Sequence, residues 1–384
     1  MESVRNASHQ EIADLADEVQ KSGPAINRAA KKLGQHKETA RYRYQNMIMK
    51  ERRGYLQAAV EYGRLGLSRI MALVEFDPSL KRVAPMVLQA MNAKGFLVAY
   101  VRSSYDDMYI TDFSVPIGFH SSVERSLEYL RTTGIITRLE FSRFDWLRVL
   151  PINSRAYDFK KEIWDIEWSA ETTNAGHTPV PIRPMPVASI DHTDLLILKE
   201  LQKDANRSMS DIASSLHEDR KKVRWHAKEH VFGQNLVSGY RFRWMGEFDI
   251  ATQHVIMQRH KYANVSILCR GLDDKRLKAV REYLTSLPMI FCEAVGTRNY
   301  YAQLALPLRS LNDGIKHLNK KLAGDDSSIM VIPTDQRDAL AFTLPYERHD
   351  EESNAWVFDE AGFKESFRKI VEFTQNRGYD RSCF

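Results

Sequence analysis

The segment SMSDIASSLHEDRKKVRWHAKEH, residues 208–230, places a short apolar helix directly before a strongly basic one. Ser208 and Asp211 have the spacing of a capping box, which satisfies free backbone N–H groups at a helix start, so a helix is predicted from Ser208. On the basic helix, Val223 and Ala227 stand four residues apart and are predicted to face the core. Two helices joined by a tight turn are typical of a helix-turn-helix, whose second helix enters the DNA major groove.

The outward face of this second helix is the candidate binding surface. Arginine and lysine neutralise phosphates and also bond to guanine edges, and an aromatic ring can pack against a sugar or a thymine methyl. Simple solvation of a charged helix face is the competing interpretation. The predicted DNA-binding residues are Arg220, Lys221, Lys222, Arg224, Trp225 and Lys228, with Arg241 and Arg243 on a following strand that would form a wing.

A similar order of helices opens the chain. Ser8 and Glu11 form another capping box, a second helix is predicted over 25–33, and a third over 36–50. Residues 26–55 hold nine basic and two acidic residues, and this local excess favours contact with nucleic acid over solvation. The predicted DNA-binding residues here are Lys37, Thr39, Arg41, Tyr42, Arg43, Gln45, Arg52 and Arg53.

The segment IDHTDLLILKELQKDANRSMSDIASSL, residues 190–216, resembles the opening of Lrp/AsnC-type transcription regulators. The N-terminal copy is similar only through AAKKLGQHKETARYR, residues 29–43. The resemblance implies a prokaryotic regulator, with an archaeal source expected, that has a winged helix-turn-helix followed by a ferredoxin-like domain. The residues that match the family pattern are Asp191, Asp194, Ile197, Leu198, Leu201, Asp204, Arg207, Ile212, Ala213 and Leu216.

The segments after each helical region have the order β-α-β-β-α-β, which is that of the split βαβ sandwich. In the first half the predicted elements are 67–76, 80–91, 96–102, 108–115, 122–131 and 136–144. In the second half they are 264–269, 275–284, 291–295, 300–306, 311–322 and 328–332. Residues 250–257 compete for the first strand, and 264–269 is preferred because the helix follows it closely.

Residues 176–188 contain Pro179, Pro181, Pro184 and Pro186, which oppose helix formation and predict an extended spacer between two halves. One constant offset aligns 29–33 with 212–216 and 41–43 with 224–226, so we interpret the chain as a diverged tandem duplication. The predicted fold is α+β, with two winged helix-turn-helix domains each followed by a ferredoxin-like domain. The predicted boundaries are 1–63, 64–150, a linker over 151–187, 188–246, 247–345 and a helical tail over 346–384.

Composition narrows the function classes. The chain is 43% hydrophobic and 27% charged, as in soluble globular proteins, and its net charge of +5 requires local patches to meet an anion. Its three cysteines lack CxxC spacing, which predicts reduced thiols in a cytoplasmic protein. No apolar run is long enough for a membrane span. Because the common catalytic motifs are missing, we expect no enzyme and no cofactor.

Two weaker site predictions remain. His226 and His230 stand at i and i+4, which could hold a metal in principle, but packing and phosphate contact are favoured, so no metal is expected. Family members often bind an effector beside a glycine-containing loop, which points weakly to Gly296, Thr297 and Asn299, although a plain hairpin turn is favoured there.

The sequence therefore predicts a transcription regulator that reads double-stranded DNA with both helix-turn-helix units. The alternative is an interaction module that binds the transcription machinery and not DNA. Residues 64–150 are predicted to pack against 247–345 within one chain, with further self-association through the ferredoxin-like domains. An amphipathic packing helix is predicted over 361–376.

Overall fold

The computed structural model describes residues 8–49, 56–151, 153–159, 163–164, 168, 186–242, 248–249, 254–255, 262–323 and 329–376. Three predicted DNA contacts, Arg52, Arg53 and Arg243, lie outside these ranges, as does most of the predicted linker. Among the described residues, no helix is both long and apolar enough to cross a lipid bilayer.

Three helices form the first helical unit, residues 8–49. They are α1 (His9–Ser22), α2 (Ile26–Lys32) and α3 (Lys37–Arg43), and α3 continues as a π-helical segment over Tyr44–Ile48. The predicted capping box is confirmed, because the Ser8 side chain accepts from the Glu11 N–H and the Glu11 carboxylate accepts from the Ser8 N–H. Ile12, Leu15 and Val19 of α1 are buried, as their helical spacing predicts.

A strand and a six-element sheet unit follow. The strand is β1 (Leu56–Val60). The first sheet unit, residues 67–144, consists of β2 (Leu67–Phe76), α4 (Ala84–Lys94), β3 (Leu97–Ser103), β4 (Met108–Pro116), α5 (His120–Thr132) and β5 (Ile136–Phe144). The β-α-β-β-α-β order of elements matches the prediction. After it come β6 (Trp146–Val149), β7 (Tyr157–Asp158) and β8 (Ile163–Trp164).

The second helical unit, residues 191–236, has the same series of helices as the first. Its elements are α6 (His192–Lys203), α7 (Met209–Leu216) and α8 (Arg220–Trp225), which continues as a π-helical segment over His226–Phe232. Capping boxes start both α6 and α7, at Asp191–Asp194 and Ser208–Asp211 respectively. Strand β9 (Val237–Phe242) follows the unit, and two short strands come next, β10 (Phe248–Asp249) and β11 (His254–Val255).

The second sheet unit, residues 262–341, repeats the order of the first. It consists of β12 (Tyr262–Cys269), α9 (Asp274–Thr285), β13 (Ile290–Val295), β14 (Tyr300–Pro307), α10 (Leu311–Leu322) and β15 (Ile329–Ala341). The preferred first strand is therefore confirmed, although it begins two residues earlier than predicted. The last strand is longer than predicted and extends to Ala341. Short 3-10 turns lie at Tyr62–Leu65, Pro78–Val83, Ile117–Phe119, Ser154–Ala156, Leu308–Ser310 and Tyr346–Arg348.

The two sheet units join edge to edge in one nine-stranded sheet. Its strand order is β5-β2-β4-β3-β15-β12-β14-β13-β6. The junction is the antiparallel pair of β3 and β15, in which Ser103 lies opposite Thr334 and Arg102 opposite Asp335. Near this edge the Tyr109 hydroxyl donates to the Asp338 carboxylate at 2.8 Å. At the far edge, β6 of the first half pairs with β13 of the second.

One face of each sheet unit contributes to a shared core. Met71 of β2, Phe144 of β5, Leu268 of β12 and Tyr301 of β14 belong to a single buried cluster, in which the Phe144 and Tyr301 rings lie 6.4 Å apart. Side chains alternate along a strand, so the opposite face of β2 contacts the helices instead. The predicted packing of residues 64–150 against 247–345 within one chain is therefore observed.

The two helical units meet through a separate two-stranded sheet. Strand β1 pairs antiparallel with β9, with Leu56 opposite Phe242 and Val60 opposite Val237. The Phe242 ring also lies 6.2 Å from the Tyr44 ring of the first unit. Each helical unit thus pairs its following strand with that of the other unit, and this pairing fixes their relative position.

The C-terminal region covers the helices of the first sheet unit. Strands β16 (His349–Asp350) and β17 (Ala355–Trp356) precede α11 (Glu360–Asn376). Phe363 and Phe367 of α11 are buried in the same cluster as α4 and α5 side chains. The packing role predicted for residues 361–376 is confirmed at these two positions, while the side chains of Val371 and Phe373 lie outside the described residues.

Candidate nucleic-acid interface

The basic helix of the second unit begins where its sequence sets a cap. The Asp219 carboxylate accepts hydrogen bonds from the backbone N–H groups of Lys221, at 2.8 Å, and Lys222, at 3.0 Å. These bonds hold the pKa of Asp219 below its usual range. Helix α7 ends at Leu216, and His217 after it has a left-handed φ of 55° that turns the chain sharply into α8. The tight turn therefore has a local physical cause.

The outer face of α8 and of its π-helical continuation presents the predicted contact residues to solvent. Trp225 is 54% exposed, and Val223 and Ala227 on the other face are buried, as predicted. Arg224 donates to the Ser210 hydroxyl at 3.1 Å, and Lys222 pairs with Glu218 at 3.0 Å. Such exposed pairs contribute little free energy, so these cations can exchange them for phosphates. The exposed predicted residues are Arg220, Lys221, Lys222, Arg224, Trp225 and Lys228.

The first helical unit presents a similar face, with one correction. Lys37, Arg41, Tyr42 and Gln45 are exposed and Thr39 is half-buried, as a contact surface requires. Arg43, predicted on the same face, is 6% exposed and lies inside the unit, where its guanidinium pairs with Glu11 at 3.1 Å. It stands three residues after buried Ala40, which places it on the inner side of the helix.

Arg241 also differs from its prediction. It was placed on a wing that reaches the DNA backbone, but β9 pairs with β1, and the Arg241 guanidinium lies 5.8 Å from the centre of the Phe291 ring in the second sheet unit. The side chain is half-buried and directed toward that sheet. Arg241 therefore belongs to the packing between the helical and sheet units.

The loop expected to hold an effector is a contact between the two sheet units. A Cβ atom on Gly296 would lie 2.4 Å from the Arg143 carbonyl oxygen, and the Asn299 amide donates to that same oxygen at 3.3 Å. Thr297 is exposed beside them. The close backbone approach that a glycine permits is made here by the first half of the chain. Effector binding at Gly296, Thr297 and Asn299 stays a prediction.

A cluster of two histidines and two aspartates, which the sequence did not predict, lies on the inner side of α8. His226 and His230 both direct Nδ1 at the Asp194 carboxylate, at 3.0 Å each, and Asp191 Oδ2 lies 3.5 Å from His226 Nδ1. Asp194 is fully buried and His226 nearly so. The Trp225 ring packs edge-on against both imidazoles, with centroids 4.9 and 4.7 Å away. The i, i+4 histidines and the Asp-x-x-Asp spacing were each visible in the sequence, but their meeting depends on how α6 packs on α8.

A comparison with protein families supports a helix-turn-helix in the second helical unit. A family model described as winged helix-turn-helix DNA-binding matches residues 190–229. The chain therefore carries a winged helix-turn-helix DNA-binding domain over the second helical unit. No curated protein matches the chain.

Among solved structures, the chain is similar over most of its length to the siroheme decarboxylase NirDL. For its complex with an iron-uroporphyrin III analogue the TM-score is 0.52 at 10% identity, and the match covers 95% of this chain and 99% of that one. A second structure of NirDL matches with a TM-score of 0.50 at 10% identity, over 93% and 99% of the two chains. PH0061 matches 38% of this chain and 91% of its own, at 14% identity and a TM-score of 0.28. The NirDL likeness indicates a shared fold.

Proposed function

We propose that this protein is a transcription regulator that binds double-stranded DNA with two helix-turn-helix units. The observation that carries the proposal is the face of α8, where all the described cationic residues predicted to contact DNA are exposed, opposite a buried stripe. This face lies within the residues that match the DNA-binding family model. A regulator of this kind would act in the cytoplasm of a prokaryotic cell.

Matching helix starts support a DNA-binding role for the first helical unit as well as the second. Every helix of the second unit starts at the same offset from its counterpart in the first, and the paired starts are His9 and His192, Ile26 and Met209, and Lys37 and Arg220. Both third helices continue into a π-helical segment, a rare feature that unrelated units would seldom share. These matches favour a tandem duplication, in which the exposed face of α3 corresponds to that of α8.

The sheet units would hold the two DNA-binding helical units in place. In each unit the strands lie in the order fourth, first, third, second, which is the arrangement expected of a ferredoxin-like domain. Pairing of β3 with β15 and of β1 with β9 would hold the two helical units at a fixed separation. Because their exposed residues differ, the preferred DNA site would be asymmetric, with unlike half-sites about one helical turn or a multiple apart.

Fluorescence anisotropy with a labelled duplex at several salt concentrations tests the proposal. Each phosphate neutralised contributes about 0.9 to the log–log slope of affinity against salt, so the double variant Arg224→Ala/Lys228→Ala should lower the slope by about 2. Lys278→Ala/Lys369→Ala, which removes two exposed charges outside the helical units, is the matched control and should leave the slope unchanged. A slope near zero in the unchanged protein would overturn DNA binding. An equal decrease of the slope in both variants would overturn the assignment of the contacts to the face of α8.

Exposed aromatic rings favour one alternative, a protein-interaction role. Trp225 is 54% and Tyr42 39% exposed, and tryptophan, tyrosine and arginine are the residues that dominate protein interfaces. In that case Trp225→Ala would abolish binding to a component of the transcription machinery while duplex binding stayed weak and independent of sequence. The same anisotropy assay with specific and random duplexes separates the two roles.

The NirDL likeness names a second alternative, an enzyme acting on an iron tetrapyrrole. A fold shared at 10% identity does not carry an activity with it, so we propose binding and not catalysis for this chain. An absorbance titration with siroheme is the direct check. A shifted spectrum at one equivalent, followed by release of carbon dioxide, would favour the enzyme.

A further inference from the structure

Four potential metal ligands meet between the first and third helices of the second helical unit. Asp191 and Asp194 stand at the start of α6, and His226 and His230 lie on the π-helical segment after α8. One ligand atom from each residue lies within 4.8 Å of all the others. Helices α7 and α8 lie between these two elements along the chain, so the four residues come together through the tertiary fold.

The first helical unit has the same construction with a different charge balance. Under the offset that aligns the helix starts, the cluster corresponds to Ser8, Glu11, Arg43 and Met47. There the buried Arg43 guanidinium pairs with Glu11 at 3.1 Å, which places a permanent positive charge beside the acid.

The second unit lacks this permanent charge and adds a carboxylate. Asp191 replaces Ser8, Asp194 replaces Glu11, and the imidazoles of His226 and His230 replace Arg43 and Met47. Asp194 is fully buried, and a buried carboxylate requires a compensating charge or strong hydrogen bonds. One divalent cation would balance the charge of the two carboxylates, and the imidazole nitrogens would complete its set of ligands.

We propose that this cluster is a binding site for a divalent transition-metal ion of the zinc class. Zn²⁺ binds imidazole nitrogen and carboxylate oxygen at about 2.0–2.2 Å, and ligand atoms around a tetrahedral ion then lie roughly 3.3 Å apart. The separations from His226 Nδ1 to Asp194 Oδ1 and to Asp191 Oδ2, 3.0 and 3.5 Å, bracket that value. Imidazole ligands favour Zn²⁺, Co²⁺ or Ni²⁺ over Mg²⁺ or Ca²⁺.

The capping box keeps the two carboxylates in position for this role. Asp191 Oδ1 accepts from the Asp194 N–H and Asp194 Oδ2 accepts from the Asp191 N–H, both at 3.0 Å. Asp191 Oδ2 remains directed at His226. A bound ion would link the start of α6 to the helix that carries Trp225, whose ring already packs on both imidazoles.

Metal titrations of the full chain, first stripped with a chelator, test the site without DNA. Calorimetry with Zn²⁺ should give one site per chain, and Co²⁺ should give the visible absorption of a tetrahedral complex. His226→Gln and His230→Gln should each weaken this binding by more than about 100-fold, beyond what loss of an outer-shell partner costs. His217→Asn is the matched control, since it removes an exposed histidine of the same unit, and asparagine tolerates the left-handed φ of 55° there.

A second measurement does not depend on the histidine variants folding. Bound Co²⁺ should quench the fluorescence of Trp225, because the ring contacts both imidazoles, and Trp225→Phe should remove that quenching while leaving one Co²⁺ site. The proposal is overturned if the unchanged chain binds neither Zn²⁺ nor Co²⁺. It is also overturned if His217→Asn weakens binding as much as His226→Gln, or if the quenching survives in Trp225→Phe. The metal titrations contain no DNA, so their outcomes do not depend on whether the protein binds DNA.

Discussion

Arg41 and Arg43 are two residues apart on α3, yet they belong to different parts of the molecule. Arg41 is exposed and pairs with Glu38 on the same surface, at 3.0 Å. Arg43 is buried against α1, where it pairs with Glu11. The Ser8 N–H, and then the Arg43 charge, hold the pKa of Glu11 below its usual range. Charge type alone does not separate a contact residue from a structural one, because helical position decides which way the side chain points.

Substitutions at these two positions should separate DNA binding from stability. Arg41→Ala removes only a surface pair, so we expect weaker duplex binding and a change in unfolding free energy of under about 1 kcal/mol. Arg43→Ala removes a buried side chain together with its ion pair to Glu11, so we expect a loss of about 1–3 kcal/mol of unfolding free energy. Urea unfolding and anisotropy on both variants check this pair. The assignment fails if Arg41→Ala binds DNA like the unchanged chain at low salt.

The described cysteines should be unreactive in the folded protein. Burial raises the pKa of the Cys269 thiol to about 12 and that of the Cys292 thiol to about 12. The thiolate is the reactive form, so at pH 8 both should alkylate roughly a thousandfold more slowly than a free thiol of pKa about 8.5. Timed iodoacetamide labelling with peptide mass spectrometry, run beside N-acetylcysteine and repeated in urea, measures this. Native labelling at the rate of N-acetylcysteine would show that the thiols are accessible.

At the scale of elements, α11 contributes an apolar layer over α4 and α5. The Phe363 and Phe367 rings lie 4.7 Å apart at its buried face, and both are almost fully enclosed. A Cβ atom on Gly95 would lie 2.5 Å from the Phe363 ring, which shows how closely the end of α4 approaches this helix. The first sheet unit therefore depends on a helix that follows the whole second half of the chain.

Truncation of one of these rings should destabilise the first sheet unit. Phe363→Ala leaves a cavity at a fully buried position and should cost about 3–5 kcal/mol of unfolding free energy. Lys369→Ala on the same helix is the control, because its side chain is 71% exposed and should change stability by under about 0.5 kcal/mol. Thermal and urea denaturation compare the two. Equal stability of both variants would mean that α11 does not hold the sheet unit.

Element types and starts were predictable from the sequence because they depend on local chemistry. Ser8, Ser208 and Asp219 cap helices through bonds within three residues, and the strand over 67–76 follows from its apolar run. Pairings between distant segments were not predictable in the same way. Nothing local in β3 or β15 specifies that their edges meet, and the convergence of His226 on Asp194 requires the packing of two helices that are distant in the chain.

At the scale of the whole molecule, the chain uses its own strand edges to join its halves. An exposed sheet edge is a template for pairing with another chain, and here β3 and β15 cover each other while β6 covers β13. The Glu140 and Arg270 side chains form a further ion pair across the two sheet units. In a symmetric dimer built from separate chains these same edges would be left for a partner to pair with. In this chain the pairing of β3 with β15 is intramolecular.

An engineered disulfide across the junction should distinguish these two arrangements. Ser103 and Thr334 lie opposite each other in the antiparallel pair of β3 and β15, where Cα atoms are separated by about 4.5–5.5 Å, within the range that a disulfide spans. With the native cysteines replaced by serine, Ser103→Cys/Thr334→Cys should oxidise to a cross-link within one chain. On a non-reducing gel it should run as a compact monomer, and Ser103→Cys alone should remain reduced at the same low concentration. If β3 instead pairs with β15 of a second copy, the double variant forms a covalent dimer, and the intramolecular arrangement of the two sheet units is refuted.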